Sequence, residues 1–238
     1  MPAPRAAYVH VPFCRHRCGY CNFTLVAGRD DLIERYLHAV ELEVNQQGSL
    51  RSNELDTLYF GGGTPTHLSP DELQRLAAIV LPRHPLVIGY EWTVEANPSD
   101  VNERMIRTLA ELGATRLSIG AQSFRPEKLR LLERDHSATE ITNATRFAKS
   151  AGLQVSVDLI FATPGETLQE WRDDLKEALA LEPDHVSAYG LTFERGTAFW
   201  TRRRRGRLNE LDEELQREMY ALTIDTLTAA SFEHYEVS

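Results

Sequence analysis

The sequence is short of three things: cysteine, lysine and long apolar runs. Its 238 residues contain three cysteines, and lysine occurs only at Lys128, Lys149 and Lys176. No apolar run approaches the roughly 18–20 residues of a membrane span, so no integral membrane segment is expected. Three is an odd number for a disulfide framework, and the opening residues carry no secretion-signal pattern. Free thiols then point to a reducing, cytoplasmic setting. The net charge of −9 argues against nucleic acid as the main partner. With 42% hydrophobic residues there is ample material for a core, and disorder is not expected. Nearly all positive charge is arginine, which suits carboxylate recognition, although a compositional bias accounts for it equally.

What is present is concentrated. All three cysteines fall in Cys14-Arg15-His16-Arg17-Cys18-Gly19-Tyr20-Cys21, spaced Cys-x3-Cys-x2-Cys. Three thiolates in one loop can hold three irons of a [4Fe-4S] cluster and leave the fourth iron open. Zinc is the alternative, with His10 or His16 as the fourth ligand of a zinc-stabilised binding module. Spacing favours the cluster without excluding zinc.

Hydrophobic periodicity predicts strands at Ala6–Val11, Leu55–Phe60, Tyr90–Glu95, Thr115–Ile119, Gln154–Leu159 and His185–Leu191. Between them lie helical patterns. Ser69-Pro70-Asp71-Glu72, Ser137-Ala138-Thr139-Glu140 and Thr167-Leu168-Gln169-Glu170 read as capping boxes. Gly113 and Gly152 read as helix ends. A loop or short helix is expected from Gln122 to Arg134. A solvated basic loop is expected at Arg202–Arg205 and Arg207, before a long helix from about Asn209 to Ala230. Trp92 and Trp171 are expected to pack strands against helices, and His136 and His185 to make local hydrogen bonds.

Strand–helix alternation at about thirty-residue spacing predicts α/β architecture with a parallel sheet. The expected form is an incomplete (β/α)6 barrel, read as one domain over residues 1–238. Glu233–Val237 looks like the start of another extended segment, so the chain is expected to be truncated, with a C-terminal domain absent.

In such barrels the chemistry gathers beyond the C-terminal ends of the strands. Strand one runs into the cysteines, strand two into Gly61-Gly62-Gly63-Thr64-Pro65, strand three into Glu95-Ala96-Asn97-Pro98, and strand four into Gly120-Ala121-Gln122. Strand five contains Asp158 and leads to Pro164-Gly165. Each has a plainer reading: a tight glycine turn, Glu95 capping the next helix, Gln122 satisfying loop backbone. The glycine run lacks the Gly-Lys-Ser/Thr ending of a phosphate loop. Bare backbone there suits an ammonium group, Glu95 and Asp158 suit ribose hydroxyls, and Arg134 suits a carboxylate. Together with an open iron, these features describe S-adenosylmethionine on a cluster.

The series Tyr8-Val-His-Val-Pro-Phe-Cys14, the cysteine loop, Gly61-Gly-Gly-Thr-Pro-Thr66, Glu95-Ala-Asn-Pro98, Ser118-Ile-Gly-Ala-Gln-Ser-Phe124, Asp158-Leu-Ile and Pro164-Gly165 resembles the radical SAM superfamily. More narrowly it resembles the oxygen-independent coproporphyrinogen III oxidase family, and within it the heme chaperone (HemW) branch. The resemblance implies that Cys14, Cys18 and Cys21 ligate the cluster. It also implies that Tyr8, Tyr20, Gly62, Gly63, Thr64, Glu95, Gln122, Arg134 and Asp158 contact S-adenosylmethionine, with Thr192 a weaker match. The reduced cluster of this family splits S-adenosylmethionine to a 5′-deoxyadenosyl radical.

Two departures favour the chaperone branch over the oxidase that decarboxylates coproporphyrinogen III. The oxidases usually carry a further cysteine where this chain has Phe23, and they usually have an extension before the first strand, where only seven residues precede Tyr8. The implied cargo is heme, passed to a heme-accepting protein, with an electron-donor protein as a further partner. The heme ligands of that branch are expected downstream of Ser238. Whether the chain is itself an enzyme is left open by the resemblance.

Overall fold

The computed structural model describes residues 4–46 and 54–237. In chain order the elements are β1 (Ala6–Val11), β2 (Phe13–Cys14), β3 (Val26–Ala27), α1 (Ile33–Gln46), β4 (Leu55–Gly62), α2 (Pro70–Val80), β5 (Leu86–Ala96), α3 (Glu103–Leu112) and β6 (Arg116–Gln122). They continue with α4 (Pro126–Leu131), α5 (Ala138–Ser150), β7 (Gln154–Phe161), α6 (Leu168–Ala180), β8 (His185–Gly190), α7 (Ala198–Arg204) and α8 (Glu213–Ala229). Six strands form one sheet in the order β1-β4-β5-β6-β7-β8. Its described registers, β1 on β4, β4 on β5 and β7 on β8, are all parallel. The chain is therefore α/β with a six-stranded parallel sheet, as the alternation predicts. No helix among the described residues is long and apolar enough to cross a membrane.

The helix starts show why the sequence breaks where it does. Ser69 and Thr167 complete reciprocal capping boxes with Glu72 and Glu170 ahead of α2 and α6. Asn102 accepts the Met105 N–H, so α3 starts at Glu103. Asp212 caps α8 and shifts its start from Asn209 to Glu213. The expected loop at Arg202–Arg205 is largely helix. Thr197 accepts the Trp200 N–H and launches α7, which carries Arg202, Arg203 and Arg204. No strand forms at Glu233–Val237; instead the Tyr235 hydroxyl meets His185 Nε2 at 2.7 Å. Nor did the expectation include β2 and β3, which pair within the cysteine segment, Phe13 with Val26 and Cys14 with Ala27.

The described residues fall into two compact units. The first comprises residues of Met1–Arg17, Phe23–Ser118 and Arg146–Gln154, the second residues of Cys18–Asn22, Ile119–Thr145 and Val155–Ser238. In the first, Trp92 is fully buried and meets Phe60 edge-on at 5.1 Å, and Leu58, Leu73, Leu76 and Leu109 are buried as well. In the second, Trp171 is fully buried against Phe161 at 5.4 Å, and its indole N–H donates to Thr223 Oγ1 at 2.9 Å. Both tryptophans thus pack as expected, and the buried indole of Trp171 has its partner.

The second unit also buries a charged cluster that the sequence did not announce. The Lys128 ammonium pairs with Glu166 and, at 3.0 Å, with Asp174, and all three are buried. Asp174 further accepts from the Ser123 hydroxyl and the Phe124 N–H. Glu166 accepts from the Thr163 N–H and hydroxyl. Buried charge is tolerated here because nearly every lone pair has a donor.

Candidate functional site

The residues singled out from the sequence are distributed over both units. In the first, β1 carries Tyr8 and His10 on one face, because strand side chains alternate. His10 Nε2 faces the Thr24 carbonyl at 2.7 Å, so that nitrogen carries the proton. Nδ1 is then the acceptor, and the Tyr8 hydroxyl donates to it at 3.1 Å. His10 is thereby engaged at both nitrogens. Tyr8 stays 57% exposed and stacks on Tyr59 at 5.9 Å.

The glycine run does not make a tight turn. Gly61 and Gly62 belong to β4, paired with His10 and Val11. Gly62 has φ 114°, and a Cβ on it would overlap the His10 ring. Glycine is required on both counts. The Gly62 N–H donates to Glu95 Oε2 at 2.9 Å, and the Tyr59 hydroxyl donates to Oε1 at 2.8 Å. Glu95 therefore holds the glycine segment from the end of β5 and caps no helix. Burial pushes its carboxyl above the ordinary range, while the Tyr59 and Gly62 hydrogen bonds pull the other way. Gly63 and Thr64 continue along the first strand by bonding Val11 and Phe13 carbonyls, which brings Thr64 Oγ1 to 3.4 Å from Cys14 Sγ. Cys14 is thus placed beside Thr64. Arg17 braces the residues after the loop by donating to the Phe23 and Leu25 carbonyls, and the Phe23 ring stands 58% exposed.

In the second unit, Cys18-Gly19-Tyr20-Cys21 forms a turn closed by the Cys21 N–H on the Cys18 carbonyl at 3.1 Å. Arg134 reaches this turn: Nη1 donates to Cys18 Sγ at 3.7 Å, and Nη2 to the Gly120 carbonyl at 3.1 Å. Burial pushes the Cys18 thiol and the Tyr20 hydroxyl up, and the Arg134 charge opposes both shifts. Gln122 ends β6 at φ 63°, and Ala162, just past β7, has φ 62°. A left-handed conformation at a residue other than glycine costs about 1–3 kcal/mol and gathers at functional sites. Asp158 lies in β7, where the Ser156 hydroxyl donates to it at 3.5 Å. Thr192 donates to Glu194 at 3.4 Å.

Cys18, Tyr20 and Arg134 are therefore brought together. Gln122 ends β6, and Asp158 lies within the neighbouring strand β7. Among the described residues no three His, Cys, Asp or Glu side chains are drawn in to ion-holding distance. The donor set still fits an iron–sulfur group. None of the three cysteines is tied up in a disulfide, thiolate is the iron ligand, and a buried guanidinium beside Cys18 favours that thiolate.

Sequence reasoning missed His10, Tyr59 and Glu133 as supporting residues. The period of two along β1 places His10 beside Tyr8. Tyr59 and Glu133 could be linked to Glu95 and Cys18 only through the folded chain.

The radical SAM superfamily model matches residues 8–178. The chain is 36% identical over 236 residues to the heme chaperone HemW of Lactococcus lactis, covering 99% of this chain. It is 34% identical over 240 residues to that of Bacillus subtilis, covering 98%. It spans 62% of the length of these curated relatives. Among solved structures, coproporphyrinogen III oxidase (HemN) from Escherichia coli, described as a radical SAM enzyme, superposes with a TM-score of 0.87 at 25% identity. The match covers 98% of this chain and 54% of that one. With the motifs in order on the strand ends and the family model matching most of its length, this chain belongs to the radical SAM superfamily.

Proposed function

We propose that residues 1–238 are the radical SAM core of a cytoplasmic heme chaperone of the HemW type. The similarity to HemW over nearly the whole chain carries this reading. Cys14, Cys18 and Cys21 would hold a [4Fe-4S] cluster. Tyr8, Tyr20, Gly62, Gly63, Thr64, Glu95, Gln122, Arg134 and Asp158 would receive S-adenosylmethionine. When bound, this pair supplies one-electron reduction of a sulfonium.

The chain's own residues do the positioning. Glu95 fixes the backbone of Gly62, whose missing side chain leaves room for the His10 ring. Thr64 sits against the Cys14 sulfur. Arg134 holds positive charge at Cys18 and is itself anchored on the Gly120 carbonyl. Heme is the proposed cargo, a heme-accepting protein the proposed recipient, and an electron-donor protein the proposed source of reducing equivalents.

The second reading, a coproporphyrinogen III oxidase, is favoured by the TM-score of 0.87 to that enzyme. Phe23 weighs against it, standing exposed where the oxidase pattern has a fourth cysteine. Two assays on the full-length protein decide between them. Saturable hemin binding without conversion of coproporphyrinogen III in the presence of S-adenosylmethionine and reductant supports the chaperone. Vinyl product formation overturns it.

A further inference from the structure

We infer that helix α7 is a clamp that holds the Cys18–Cys21 turn, with Phe199 and Arg202 as positioning residues for the cluster ligands. The inference rests on the iron–sulfur reading of that turn.

Three separate contacts converge on it. The Phe199 N–H donates to the Gly19 carbonyl at 2.8 Å. The Phe199 ring, fully buried, lies over Gly19 so closely that a Cβ there would sit 2.8 Å from it, and it meets Tyr20 edge-on at 6.1 Å. Arg202, one turn along α7, donates to the Glu133 carboxylate at 2.6 Å. Glu133 is held at φ 56°, and its carbonyl lies 3.7 Å from the Cys18 sulfur. The next residue, Arg134, contacts that same sulfur. Arg202 thus fixes the segment that faces Cys18 from one side, and Phe199 fixes the turn from the other.

Packing alone does not require this arrangement. Phe199 is anchored among Leu132, Ile160, Leu191 and Phe193, and that apolar cluster could be filled without a backbone bond to Gly19. Gly19 also needs no left-handed conformation, since it has none of the positive φ values. Its missing side chain serves the approach of Phe199. A turn held in place before the metal arrives loses less conformational freedom on loading. The Arg202–Glu133 pair is partly exposed, with side-chain exposures of 42% and 31%, so breaking it should cost the fold little.

The test compares wild type, Arg202→Ala, Arg202→Lys, Phe199→Leu and Gly19→Ala by two readouts. The first, on metal-free protein, is the labelling rate of Cys18 by a thiol reagent, followed by peptide mapping. The second, on reconstituted protein, is the rate of iron loss to a chelator. Arg202→Ala is expected to speed both by roughly fivefold, the factor that about 1 kcal/mol represents. Its thermal unfolding should stay close to wild type, and Arg202→Lys should recover most of the protection. Gly19→Ala is expected to lose the cluster, and pairing it with Phe199→Leu, which withdraws the ring, to recover part of it. Labelling and iron loss at wild-type rates in both Arg202→Ala and Phe199→Leu would overturn the clamp. If wild type itself takes up no cluster, the iron–sulfur reading fails on its own, and the labelling arm still decides the clamp.

Discussion

The Glu95 carboxylate and the Gly62 backbone N–H are hydrogen-bonded at 2.9 Å, a side chain at the end of β5 holding the backbone at the end of β4. A residue predicted to contact a ligand is thus also the brace of the segment that would receive it. Two consequences separate. Glu95→Gln keeps an acceptor for Gly62 or Tyr59 and should cost stability little. Glu95→Ala leaves both donors without it and should cost about 1–3 kcal/mol. Both should weaken S-adenosylmethionine binding while leaving iron content unchanged, as calorimetry and iron analysis of the same samples would show.

Arg134 offers a sharper test of charge placement. Arg134→Gln removes the positive charge beside Cys18 and the anchor on Gly120. The Cys18 thiol, already pushed up by burial, should rise further and react more slowly with a thiol reagent at pH 8. An unchanged Cys18 rate would show that the guanidinium has no hold on that sulfur.

Lys128 predicts the largest stability loss from a single substitution. Lys128→Met leaves the Glu166 and Asp174 carboxylates buried with no counter-charge. Removing one partner of such a set costs about 3–5 kcal/mol, which urea unfolding at pH 7 would read directly. Raising the salt concentration should not reproduce the loss, because the cluster is inaccessible to ions.

Much of this was legible in advance, and the exceptions have physical causes. The six strands were visible because each is an apolar run closed by proline, glycine or a capping residue. The helix starts at Ser69, Ser137 and Thr167 were written in their capping boxes. The α7 helix was hidden because Arg202-Arg203-Arg204-Arg205 carries no apolar period; its signal was the Thr197 cap, three residues ahead of Trp200. Glycines 61–63 suggested a turn, and the approach of Glu95 to Gly61 and of His10 to Gly62 explains those two as strand residues without side chains. The Lys128 cluster depends on residues up to 46 positions apart, beyond the reach of any local pattern. Arg134 and Cys18 were named separately from motifs; that they touch is a property of the fold.

His136 predicts a pH dependence with a definite sign. It is buried, its Nε2 donates to the Ala121 carbonyl at 2.9 Å, and burial lowers its pKa to about 4, helped by Arg134. An unfolded histidine titrates near 6.5. Between pH ~6.5 and ~4 the unfolded chain therefore binds a proton that the folded chain refuses, and stability falls as pH falls. The contribution is intact above pH ~6.5, and up to ~3 kcal/mol is lost by pH ~4. His136→Gln, which can still donate to Ala121, should flatten this part of the stability profile measured by urea unfolding from pH 7 to 5.

The most direct test of the central claim is anaerobic reconstitution with iron and sulfide, followed by quantitation of both and by electron paramagnetic resonance of the reduced protein with and without S-adenosylmethionine. The account predicts about four irons and four sulfides per chain, a signal that shifts when S-adenosylmethionine is added, and loss of the cluster in each of Cys14→Ser, Cys18→Ser and Cys21→Ser. Stoichiometric zinc without sulfide, or a cluster retained in all three variants, would contradict it.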